Sequence, residues 1–179
     1  MDTIRHRLYL FVPFVVVVLL QNLVHECIHY VAAISMGEKV LEFRFLTNGL
    51  LSSQVVYATP VAERVGTHWL VIAWAPAVVT TLVGYLVYIN RHRWLTRWPP
   101  VNLTIWYLGV LFMCVDPLYF GVLSFVVGGD VDAAGVVGWP ALPVQLVALG
   151  VLLVGVWLTI SWRREAQSKP DLYRLWVRK

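Results

Sequence analysis

Four apolar stretches, each long enough to cross a bilayer, leave this chain few folds to choose from. A spanning helix needs about 20 consecutive apolar residues, and in lipid its backbone must satisfy its own hydrogen bonds. The first stretch runs from about Leu8 to Met36 and the second from Thr67 to Ile89. The third begins near Val101 and continues past Pro117 towards Val127, and the fourth runs from Pro143 to Trp162. Only 13% of the 179 residues are charged, about half the share of an average soluble chain. The expected fold is an all-α membrane protein, a four-span transmembrane helix bundle. Residues 1–162 would form a single transmembrane domain, and 163–179 a basic tail.

The basic residues predict the orientation. Arg5 and Arg7 precede the first span, and Arg91, Arg93 and Arg97 lie between the second and third. Arg163, Arg164, Lys169, Arg174, Arg178 and Lys179 follow the fourth, so eleven of the 14 lysines and arginines fall on one side. By the positive-inside rule both termini of this multi-pass protein are cytoplasmic. The net charge of +4 is spread over span ends and forms no basic stripe, so no nucleic-acid partner is expected. The lipid bilayer is the partner the composition demands. Trp69, Trp94, Trp98, Trp139 and Trp162 fall near the span ends, where interfacial aromatics belong. A cleaved signal peptide would need a small-x-small site before Gln21, and none is present. Cys27 and Cys114 both lie in apolar segments, without C-x-x-C spacing, and read as small hydrophobes rather than a disulfide.

Between the first two spans the pattern changes. Val40 to Phe45 alternates apolar and polar residues, Asn48-Gly49 is a turn signal, and Gln54 to Tyr57 is β-prone. These features predict a short outer β-hairpin.

The first span carries an unusual polar stripe: Gln21, Asn22, His25, Glu26 and His29. Ionisable groups at the bilayer centre cost roughly 2.5–3.5 kcal/mol each on insertion scales, so the stripe must face other helices or a wet cavity. Ala32 and Ala33 just beyond it permit close approach of a neighbouring helix. Residues His25 to His29 read H-E-C-I-H. On a helix, positions i and i+4 share a face, so both imidazoles can reach one metal ion. Glu26 then sits where it could take a proton from a metal-bound water. Gln21 and Asn22 either fix the imidazole tautomers or bond across helices.

A catalytic zinc site usually has three protein ligands. Asp116, Asp130, Asp132 and His68 are the candidates for the third, while the topology puts His6 and His92 on the wrong side. At about 1.5 Å per residue, His25 lies roughly 25 Å from the cytoplasmic end of its helix and Asp116 roughly 22 Å along its own. Depth alone therefore favours Asp116. Asp130 follows Gly128-Gly129, which permits a turn back into the bundle. His68, opening the second span, is placed either to bond a substrate or simply at the interface.

These residues resemble the site-2 protease family of intramembrane zinc metallopeptidases. The likeness rests on H-E-C-I-H in the first span, the outer hairpin, Ala75-Pro76 in the second span and an aspartate at the end of the third. It covers roughly residues 10 to 135. It implies that His25 and His29 hold Zn2+ with a distal aspartate, and that Glu26 is the general base on a zinc-bound water. Gly128-Gly129-Asp130 resembles the G-G-D variant of divergent zincin-like members, which assigns the third ligand to Asp130. The chain lacks the family's L-D-G and N-P-D-G contexts, and Ala75 replaces the usual glycine. The implied reaction is hydrolysis of peptide bonds in a membrane-embedded or membrane-proximal protein substrate by a transmembrane catalytic domain spanning residues 1–162. The hairpin would hold the substrate extended by adding it as a strand. The alternative is a catalytically inactive zinc-binding membrane protein that binds substrate segments without cleaving them. A metal transporter would need ionisable groups along a pathway, whereas here they cluster at one depth.

Overall fold

The computed structural model describes residues 3–46, 53–127, 130–133 and 138–169. Helix α1 (Thr3–Ser35) leads into strands β1 (Val40–Arg44) and β2 (Gln54–Tyr57), then a 3-10 turn at Val61–Glu63. Helix α2 (His68–Ile89), a short α3 (Arg91–Trp94) and α4 (Pro99–Leu118) follow. The third span continues from α4 through a π-helical segment, Tyr119–Leu123, and α5 (Ser124–Val127). A 3-10 turn at Asp130–Asp132 precedes the last helix, α6 (Ala141–Ser168). Four helical segments are long and apolar enough to cross a membrane, and the chain is a multi-pass membrane protein of the expected class.

Helix α1 buries one narrow stripe. Pro13, Val17, Gln21, His29 and Ala33 are buried at intervals of four or eight residues, while Phe11, Val16, Cys27 and Val31 are exposed. Each step of four turns the buried face by only about 40°, so these residues form a stripe that winds slowly around the helix. The stripe packs on α2 and α4, and the exposed apolar residues form the lipid-facing surface. Ala32 and Ala33 meet Trp69 and Ile72 of α2, the close approach that their small size predicts. The helix ends at Gly37, whose φ of +82° suits a residue without Cβ. There Glu38 N–H donates to Ala33 O and Gly37 N–H to Ile34 O, the double cap of a Schellman motif.

The hairpin is present between the first two spans. Its strands pair antiparallel, with Val40 opposite Tyr57 and Arg44 opposite Gln54, and an irregularity between Val40 and Glu42. The Asn48-Gly49 turn signal lies outside the described residues.

Glycines set the closest helix contacts. A Cβ on Gly84 of α2 would fall 2.4 Å from the Met113 nitrogen of α4, and one on Gly121 2.6 Å from the Leu149 nitrogen of α6. The α2–α4 pair is thus the centre, with α1 on one flank and α6 packed on α4 and the π segment.

The fourth helix runs past its apolar stretch to Ser168, where Glu165 pairs with Arg91 at 2.9 Å and Ala166 is buried. Two expectations need correction. Trp69 and Trp162 are not interfacial: they are 4% and 1% exposed, one against Ala32 and Ala33 and the other over Gly109. Cys27 does not pack as a core residue but faces outward, and both cysteines are free.

Candidate metal centre

Helical geometry divides the polar stripe of α1 in two. Successive residues turn by about 100°, so Gln21, His25 and His29 share one face and Asn22 and Glu26 share the next. The first set points to α2, α4 and the Asp130 turn; the second points to the hairpin. Asn22 donates to Ser53 Oγ at 2.8 Å, and the backbone N–H of Val55 faces the Glu26 carboxylate. Glu26 is buried and lies within electrostatic reach of His29, His25 and Asp130.

Both histidines are oriented through Nδ1. His25 Nδ1 lies 3.1 Å from Asp116 Oδ1, and His29 Nδ1 lies 2.8 Å from the Ile72 carbonyl. A carbonyl only accepts, so His29 Nδ1 is the protonated nitrogen, and the neutral ring carries its lone pair on Nε2. A carboxylate at His25 Nδ1 selects the same tautomer. Both Nε2 atoms then face Asp130 Oδ2, at 3.8 Å from His25 and 3.6 Å from His29. The three ligand atoms lie within 4.8 Å of one another.

Two imidazole nitrogens and a carboxylate that converge in this way make a donor set suited to a metal ion. Their separations are too long for direct hydrogen bonds. The two histidine–aspartate separations, 3.8 and 3.6 Å, are near the roughly 3.3 Å that metal–ligand bonds of about 2.0–2.1 Å give in a tetrahedral site. Two imidazoles and one carboxylate fit a divalent metal. His25, His29 and Asp130 therefore form a cluster that can bind a metal in a membrane-embedded helical bundle.

The carbonyl that holds His29 is available because of a proline. In an uninterrupted helix Ile72 O would accept from the N–H four residues on, which is Pro76, and proline has none. Sequence reading singled out Ala75-Pro76 but not this consequence. Replacing Pro76 by alanine should restore a competing helical donor and weaken metal affinity by about 10-fold; titration of the purified variant against a fluorescent zinc chelator checks it.

Asp116 matches His25 in depth but lies behind its ring, on the Nδ1 side. It is 4% exposed and receives Gln21 Nε2 at 3.4 Å; the Thr80 hydroxyl sits between its Oδ2 and the Pro76 carbonyl. Gln21 thus acts on His25 through Asp116. The Asp130 turn is held by Trp74, whose indole Nε1 donates to Asp130 O at 3.0 Å. Asp132 lines the neighbouring cavity and is exposed. His68 pairs with Glu38 at 3.1 Å, and Glu38 also accepts from Thr59 at 2.9 Å. That set ties the hairpin's base to the start of α2 and is separate from the metal cluster. Trp74 and Thr80 carried no sequence signal, because helix periodicity does not say which faces of different helices meet.

No known protein family, curated protein or solved structure matches the chain.

Proposed function

We propose that the chain is an intramembrane zinc metallopeptidase, a divergent relative of the site-2 proteases, that cuts a protein substrate in or beside the bilayer. The observation that carries this reading is the convergence of two oriented Nε2 atoms and the Asp130 carboxylate beside the buried Glu26. In this reading His25, His29 and Asp130 are the zinc ligands and Glu26 is the general base. Zinc, when bound, acts as a Lewis acid on the scissile carbonyl and brings the attacking water's pKa to about 7. Glu26 accepts the proton of that water and passes it to the leaving nitrogen. Asp116 and the Ile72 carbonyl keep the imidazoles from turning.

The substrate must be extended at the cut, since a helical peptide hides its carbonyls. Strand β2 supports this better than β1: Tyr57 lines the metal-side cavity, and the Val55 N–H faces Glu26. A peptide laid along β2 would enter beside both catalytic groups. With the basic residues on the cytoplasmic side, the termini are cytoplasmic and the metal lies in the outer half of the membrane.

The test is metal content with activity. Protein purified without chelators should carry about one zinc per chain and cleave an unstructured peptide in lipid nanodiscs. Chelation should abolish cleavage, and zinc should restore it. Protein that binds no zinc even after reconstitution would refute the reading.

A further inference from the structure

Beside the metal cluster, on the hairpin side, is a cavity of about 360 Å3. Its lining joins His29 and Asp130 to Tyr57, Arg64, Trp69 and Asp132. Arg64 stands between the 3-10 turn at Val61–Glu63 and Gly66, whose φ of +99° turns the chain into α2. Its guanidinium carbon lies 4.6 Å from the centroid of the Trp69 ring and 5.0 Å from that of Tyr57. Its Nε donates to Thr59 O at 3.4 Å.

The electrostatics around Arg64 are one-sided. Arg44, Arg91 and Lys169 each pair with a glutamate, but among the described residues no carboxylate forms an ion pair with Arg64. Of the lining carboxylates, Asp130 faces the two histidines, and Asp132 is exposed. A guanidinium has five donors. The Trp69 and Tyr57 rings, whose centroids are 5.3 Å apart, hold it from one side, and one donor is spent on Thr59, which leaves the two Nη groups without a carboxylate partner among the described residues. The edge they form matches a carboxylate in two parallel hydrogen bonds.

We infer that Arg64 is a specificity-determining residue that receives a carboxylate of the polypeptide substrate within a residue or two of the cut. The carboxylate is either a C-terminal one or an aspartate or glutamate side chain. The inference rests on the peptidase reading above. The volume supports it, being at the small end of the roughly 300–1,000 Å3 range of ligand pockets. Such a space takes a short stretch of chain beyond the metal, not a folded domain.

Three otherwise identical peptides separate the sources: one with a free C-terminus, one amidated, and one amidated with an aspartate beside the cut. Binding is measured by calorimetry on zinc-loaded protein carrying Glu26→Gln, which removes turnover, and cleavage is measured on the wild type. At least one carboxylate peptide should bind about tenfold more tightly than the plain amide. Arg64→Gln should erase that advantage while zinc content and affinity for the amide stay unchanged. Equal binding of all three peptides, or a preference that survives Arg64→Gln, would overturn the inference. Should Arg64→Gln not fold, Arg64→Lys carries the test, because it keeps the charge and loses the fork. A preference reduced several-fold supports the inference, and an unchanged one overturns it. Discrimination in binding without cleavage of any peptide would sink the peptidase reading and leave the carboxylate site standing. Equal cleavage of all three would do the reverse.

Discussion

Glu26→Gln should cut peptide cleavage by about 10²–10⁴-fold, the usual contribution of a general base, while the protein keeps its zinc. Glutamine has nearly the shape of glutamate, so the contact between β2 and α1 survives and the Val55 N–H still finds an oxygen acceptor. What it cannot do is take a proton. Glu26 is one step along the helix from the metal-binding face, close enough to feel His25, His29 and Asp130 without being among the three clustered ligands. Zinc content measured by elemental analysis beside cleavage rate separates the roles. Loss of both would mean that Glu26 helps hold the metal, and loss of neither would remove Glu26 from the role of general base.

The aspartates should grade differently. Asp130→Ala removes a ligand and should leave the purified protein with far less than one zinc per chain. Asp116→Ala leaves all three ligands in place but releases His25 Nδ1, and it should weaken zinc binding by about 10–100-fold, the cost of losing an outer partner. It also strips the buried Gln21 amide of its acceptor, at about 1–3 kcal/mol, while Thr80 keeps the Pro76 carbonyl, so in zinc-free protein its melting temperature should fall while that of Asp130→Ala barely moves. Zinc affinity and thermal unfolding in the same nanodiscs read both effects. The reverse order of zinc loss would exchange the roles of the two aspartates.

The spans were legible because length and apolarity alone define them in lipid, and β1 and β2 because alternation has a period of two. The histidine pair was legible for a similar reason, since an i, i+4 spacing fixes relative direction within one helix. The third member of the cluster was not legible from geometry. Rise per residue gives depth, and by depth Asp116 was the better match, but depth says nothing about the angle around the bundle. Asp116 reaches the far nitrogen of His25, while Asp130 comes back from beyond the end of the third span to face the near one. Resemblance to a known G-G-D variant, not physics, pointed to Asp130. The same missing angle put Trp69 and Trp162 at the interface when both are core, and hid the Ile72 carbonyl, whose availability was nonetheless written in the sequence as Pro76.

Helix α1 carries both histidines and the glutamate, yet only a narrow stripe of it touches protein. Its lipid-facing flank carries Val16, Leu20, Cys27 and Val31, all exposed. One helix diameter, about 10–12 Å, is therefore all that separates the ligand side chains from hydrocarbon along this flank. The bilayer is in effect the outer wall of the metal centre. Lateral pressure and acyl-chain length then bear on the tilt of the very helix that aims the two imidazoles, so a thin, loosely packed membrane and a thick, ordered one are two different scaffolds for the same three ligands.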